Sequence, residues 1–155
     1  MRTAILGVGN LLMKDEGIGV HVVQACERLR LPENVEAIDG GTSIELASLV
    51  EGFERLVVVD AALAGGEPGQ IYRFSLDEIE PGRSPLLSGH DFGIPQTLRA
   101  CALAGNAPER IIIVGVEPKQ IDWGLELSPE LERKMPEIIE RALGEIEPGG
   151  NDACQ

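Results

Sequence analysis

Four side chains spread over the first two thirds of the chain, Glu16, Asp39, Asp60 and His90, are of the types that grip a divalent cation or move a proton. Two carboxylates with one imidazole make a common transition-metal ligand set, and a further carboxylate beside them can act as general base. Asp60 follows directly on Leu56-Val57-Val58-Val59, a run apolar enough to be a buried strand, so its carboxylate is held rigidly and partly dry. If Glu16 approaches it to about 4 Å, the two repel by about 4 kcal/mol at an effective dielectric near 20. A shared proton, the nearby base Lys14, or a divalent cation would each offset that. Of the two histidines, His90 sits in a loop aimed at the same edge, whereas His21 lies within a helical stretch and reads as a solvated or packing residue.

What would bring these groups together begins at Gly7-Val8-Gly9-Asn10, followed by Asp15-Glu16-Gly17-Ile18-Gly19. The run Ala4-Ile5-Leu6 reads as a short buried strand within Arg2 to Val8, and Val22, Val23, Ala25 and Cys26 recur at helical spacing after Ile18. Strand, loop and helix in this order put the loop outside the carboxyl end of a parallel sheet, where ligands bind. A dinucleotide fingerprint shares the Gly-x-Gly and an acid, Asp39, after the next strand. It then fails, because Leu12 stands where the third glycine belongs and the helix opens only beyond Asp15 and Glu16. Those acids would repel a pyrophosphate at a helix N-terminus; complementing the helix dipole, they are worth only about 0.3 to 1 kcal/mol.

The remaining elements follow from periodicity. Val35 to Ile38 is a second strand ending at Asp39-Gly40-Gly41-Thr42, Ser43 to Val50 a short helix, and Leu56 to Val59 a central strand. Ile71 to Phe74 alternates apolar and polar residues like an edge strand. Glu80 to Gly93 reads as a long surface loop carrying His90, of a length that is usually functional. Ile94 to Ala104 is a helix with Leu98, Cys101, Ala102 and Leu103 inward, Ile111 to Val114 another central strand, and a second loop runs from Glu117 to Leu127. Ser128-Pro129 opens a closing helix, which Pro136 should kink or split. The pattern specifies a single three-layer α/β/α domain, with an open, mostly parallel sheet of about five strands, over residues 1–147, and a frayed tail over 148–155.

Composition narrows the partners. The chain has 155 residues, 43% hydrophobic and 25% charged, an ordinary globular balance with an aliphatic core, since aromatics make up only 3%. A formal charge of -13 argues against nucleic acid, anionic membranes and free nucleotides, and favours a cationic substrate or metal ion. Gly7 and Gly9 interrupt the only apolar stretch near Met1, so a signal peptide is not expected, and no apolar run suits a membrane span. Cys26, Cys101 and Cys154 have no metal-ligand spacing and fit a reducing cytoplasm. Neither His-Glu-x-x-His nor Gly-x-Ser-x-Gly occurs, and Asp39-Gly40-Gly41-Thr42 is only faintly like an aspartic-protease loop, without a second copy.

In order along the chain, Gly7-Val8-Gly9-Asn10-x-Leu12, Asp15-Glu16-Gly17-x-Gly19, Asp39-Gly40-Gly41-Thr42, Asp60-Ala61, Ser88-Gly89-His90-Asp91 and Gly115-Val116-Glu117-Pro118 resemble the motifs of the nickel-iron hydrogenase maturation endopeptidases, from Met1 to about Ile146. The resemblance implies a cytoplasmic enzyme that removes a C-terminal extension from the hydrogenase large-subunit precursor once nickel has been inserted there. It also implies Glu16, Asp60 and His90 as the metal-contacting positions, the same three that the residue types selected, with Asp39 as an acid near the cleft. The expected catalytic carboxylates are Asp39, Glu16 and Asp60. The expected metal is nickel borne by the substrate, with zinc or cadmium able to occupy the same ligands. A non-catalytic nickel-binding chaperone or a dinucleotide-binding domain are the alternatives. Gly89 and Asp91 flank His90 at positions that vary within the family.

Overall fold

The run Ala4-Ile5-Leu6 forms strand β1, Thr3–Val8, in which every residue is buried. In the computed structural model, residues 2–41, 46–76, 86–87, 94–105 and 108–146 are described. After β1 come a 3-10 turn (Lys14–Gly17), α1 (Ile18–Glu27), β2 (Val35–Gly41), α2 (Leu46–Val50), β3 (Arg55–Leu63), β4 (Ile71–Ser75), β5 (Leu86–Leu87), α3 (Ile94–Leu103), β6 (Arg110–Val116) and α4 (Pro129–Gly144). The sheet runs β2-β1-β3-β6-β4. β2, β1, β3 and β6 pair in parallel, while β4 lies antiparallel on the edge beside β6.

The faces of the sheet carry separate apolar clusters, as a doubly covered parallel sheet requires. Ile5, Val57, Val59, Ile112 and Val114 pack beneath α1 and α4 through Val22, Val23, Leu131 and Ile138. On the other face Leu6, Leu56, Val58 and Ile113 pack under Val50 of α2 and Leu98 of α3. The fold is therefore a single α/β domain of the expected class. Past α4, the buried Glu145 takes both carboxylate oxygens to Arg73 Nε at 2.9 Å, and its carbonyl accepts from Arg55 at 2.8 Å. This ties the end of α4 to β3 and β4.

Three local expectations differ. α4 runs through Pro136 as one element, so the helix is not split there. Pro136 is exposed, and the buried Leu131, Ile138 and Ala142 hold the turns on either side of it against the sheet. In α3, Leu98 and Cys101 are buried but Ala102 is exposed and Leu103 is 92% exposed, because the helix meets the sheet along a narrower stripe than its apolar content suggests. Within the stretch read as one long loop, Leu86 and Leu87 add a short antiparallel strand to Leu63 and Ala62. The remainder of that loop, including His90, and the tail 148–155 lie outside the described residues.

Candidate active site at the carboxyl end of the sheet

The connection from β1 leads by α1 to β2 on one side, while the chain returns through α2 to β3 on the other. The order therefore reverses between β1 and β3, and in open α/β sheets the crevice for a ligand opens at the carboxyl ends of such a strand pair. Glu16 follows β1, and Asp60 lies on β3 one residue beyond the pairing of Val59 with Gly7.

Glycines bring these two segments together. A Cβ on Gly19 would stand 2.1 Å from the Val59 carbonyl oxygen and 2.6 Å from that of Val8, and one on Gly7 would stand 2.2 Å from the Gly19 carbonyl oxygen. The first turn of α1 thus lies directly on the backbone of β1 and β3, and the preceding 3-10 turn with Glu16 packs over the end of β3. Close helix-to-sheet packing explains both glycines without a bound phosphate.

Glu16 is 6% exposed and Asp60 fully buried, with the Asp60 Oδ1 accepting the Ala61 amide at 2.8 Å. Asp39 occupies a different place. It pairs with Gly7 from the far side of β1, two strand spacings or about 10 Å from Val59. It is exposed, and its Oδ1 accepts the Gly41 amide at 2.9 Å where the pairing of β2 with β1 shifts register and Gly41 has φ +51°. By the two-residue alternation Asp60 belongs to the face of Leu56 and Val58, and Asp39 to that of Val35 and Ala37. A proton shared directly between Asp39 and Asp60 is not compatible with that placement. His90, the expected third metal contact, lies outside the described residues; among those described, no three His, Cys, Asp or Glu side chains gather as a metal site.

Two further acids at this edge hold loops. Asp15, fully buried, accepts from the amides of Lys119 (2.9 Å) and Gln120 (2.8 Å) on Oδ2 and from that of Ser128 (2.7 Å) on Oδ1. It closes both ends of the loop between β6 and α4. Glu117 Oε1 accepts from the amides of Ala64 (3.0 Å) and Gly66 (2.9 Å) and from the Tyr72 hydroxyl (2.7 Å). Burial pushes the Glu117 carboxyl up, but the Tyr72 hydroxyl and the loop amides outweigh it and hold the group below its ordinary value. Burial, followed by the bond to Glu117, pushes the Tyr72 phenol up. Sequence reasoning placed Asp15 and Glu117 at the edge but could not see these partners, and it missed Tyr72, whose only signal was being the one tyrosine of the chain.

Over residues 20–145 the chain matches the family model HycI, hydrogenase maturation protease. The chain belongs to the hydrogenase maturation protease family. Like other members it is a peptidase. It is 33% identical to the hydrogenase 2 maturation protease of Escherichia coli K12, over 99% of this chain and 95% of that protein. Its fold superposes on the hydrogenase maturating endopeptidase HybD from E. coli with a TM-score of 0.85 at 32% identity, covering 97% of this chain and 94% of the other. The [NiFe] hydrogenase maturation protease HybD from Thermococcus kodakarensis gives 0.77 at 31% identity, covering 95% of this protease and all (100%) of the archaeal chain. Family, fold and peptidase activity accord with the resemblance in the motifs. Free Cys26 and Cys101 are buried in the protease, and burial, then the charge of Glu27, pushes the Cys26 thiol up, which suits apolar filler rather than a nucleophile.

Proposed function

We propose that this protease removes the C-terminal extension of a [NiFe] hydrogenase large-subunit precursor after nickel insertion, and that it recognises the nickel its substrate carries through Glu16, Asp60 and His90. The observation that supports this reading is the burial of two carboxylates, Glu16 and Asp60, at one strand switch point of a chain with net charge -13. A cation placed between two buried carboxylates offsets their mutual repulsion and their loss of hydration. A nickel-loaded precursor brings that cation and an unloaded one does not, so affinity for the substrate reports completion of its metal centre. Two carboxylate oxygens and an imidazole suit nickel, and would also accept zinc or cadmium.

In the cleavage step the substrate's own nickel supplies Lewis acidity toward the scissile carbonyl or an attacking water. Glu16 and Asp60 orient the cation, and Asp39 or Glu16 takes the proton from water. The reading includes a cytoplasmic location, which the buried free thiols suit.

The decisive experiment is mass spectrometry of the precursor, with and without nickel, after incubation with wild-type protein, Asp60→Asn and His90→Ala. Trimming of the nickel-loaded form by wild type alone is expected. Equal trimming of nickel-free precursor, or full activity in either variant, would overturn the nickel-sensing role. Nickel binding with no trimming would mark a chaperone instead, and a large thermal shift with a dinucleotide would mark a nucleotide-binding domain.

A further inference from the structure

The protease's only tryptophan, Trp123, is 73% exposed, and it is flanked by Ile121 at 42% and Leu125 at 60%; Leu12, across from them, is 53% exposed. These side chains stand on two segments sewn into one surface. The Gly124 amide donates to the Leu12 carbonyl at 2.8 Å and the Lys14 amide to the Gly124 carbonyl at 2.9 Å, so Met13 and Gly124 form a parallel bridge that sets Leu12 alongside Trp123. Gly124 has φ +155°, a backbone conformation that other residues rarely adopt, so glycine is what lets the two segments close. Asp15 fixes the loop from within through Lys119, Gln120 and Ser128. The apolar side chains are therefore displayed on a braced scaffold.

We infer that Leu12, Ile121, Trp123 and Leu125 form the docking surface for the protein substrate of this peptidase, beside the segment to be cut. The inference rests on the reading of function given above. Clustered exposed apolar groups mark interaction sites, and tryptophan is the side chain most enriched where binding energy concentrates. The surface ends at Lys14, two residues before Glu16, so a partner seated on it is held next to the switch-point carboxylates. A second copy of the chain is a poor occupant, because each carries a net charge of -13 and the loop itself adds Asp122 and Glu126. The same charges oppose an anionic lipid surface. A braced surface loses little conformational freedom on binding, which favours affinity for a large partner.

Trp123 can be labelled uniquely with 5-fluorotryptophan, so that its fluorine resonance reports contact independently of cleavage. Nickel-loaded large-subunit precursor is expected to shift this resonance in the full-length protein. Leu125→Asp and Ile121→Asp should raise KM for that precursor at least tenfold with kcat within twofold of wild type, and should abolish the shift at the same precursor concentration. Wild-type cleavage with no fluorine shift and an unchanged KM in both variants would overturn the docking surface while leaving the function intact. A shift without cleavage would sustain the surface and overturn the function. A shift produced by raising the protein's own concentration, or by phosphatidylserine vesicles alone, would assign the surface to self-association or lipid and overturn the inference.

Discussion

Gly19 lies so close to the Val59 carbonyl that a Cβ there would stand only 2.1 Å from its oxygen, and this contact sets the height of the Glu16 turn above the end of β3. Backbone on both sides of the contact belongs to buried elements, so neither can yield without disturbing the core. Gly19→Ala should destabilise the fold by about 3 kcal/mol, at the upper end for overpacking, with cleavage falling further than stability alone explains. Urea unfolding measured beside precursor cleavage checks this; a variant within about 0.5 kcal/mol of wild type would show that the turn can rise at no cost.

Asp15 and Glu16 are adjacent yet separable by mutation. Removing the Asp15 carboxylate leaves the amides of Lys119, Gln120 and Ser128 buried without their acceptor. Asp15→Ala should cost about 3 kcal/mol or more, with amide exchange rising across residues 118–128. Glu16→Gln should leave exchange in that loop as in wild type while cleavage is lost. Hydrogen-exchange mass spectrometry reads both outcomes.

The Tyr72 to Glu117 bond gives stability a dependence on pH at both ends. The Glu117 carboxyl titrates below its ordinary value of 4.5 in the fold, so its contribution is present above that value and is lost as pH falls through the lower folded value. Tyr72 is held above its ordinary 10.0, so its contribution is present below that value and is lost as pH rises through the higher folded one. Tyr72→Phe should cost about 2 kcal/mol at neutral pH, as for a hydrogen bond to a charged group. It should also flatten the alkaline limb of thermal stability against pH, as calorimetry across the two ranges would reveal.

Asp39 is exposed and tied by one oxygen to the Gly41 amide, away from the face that carries Asp60. With Asp39 as the base, Asp39→Asn should lower kcat about a hundredfold or more, with Kd for the nickel-loaded precursor unchanged. An undiminished rate would remove it from the proton chemistry and leave Glu16 as the candidate.

Much of the architecture is legible from periodicity, because burial on both faces demands continuous apolar strands such as Leu56 to Val59, and burial on one side demands stripes such as Leu131, Ile138 and Ala142. Pro136 does not split α4 because a break signal is local, and packing on the opposite side of the helix overrides it. Leu103 misleads, since how wide a stripe is buried depends on the surface the helix meets.

The amino-acid sequence by itself determined the order of the helices and of every strand but the short β5, the sheet end at which the loops collect, and the acids that this end would carry, since all of these follow from local residue pattern and the geometry of parallel sheets. Only the tertiary structure decided how those acids divide. Asp15 is consumed by amides more than one hundred positions away, as the separations of 104, 105 and 113 residues record, and Glu117 by Tyr72 and the loop after β3. Adjacent carboxylates such as Asp15 and Glu16 look alike in a sequence because a hydrogen bond is set by position in space, and only the folded chain brings the distant donors to one of them.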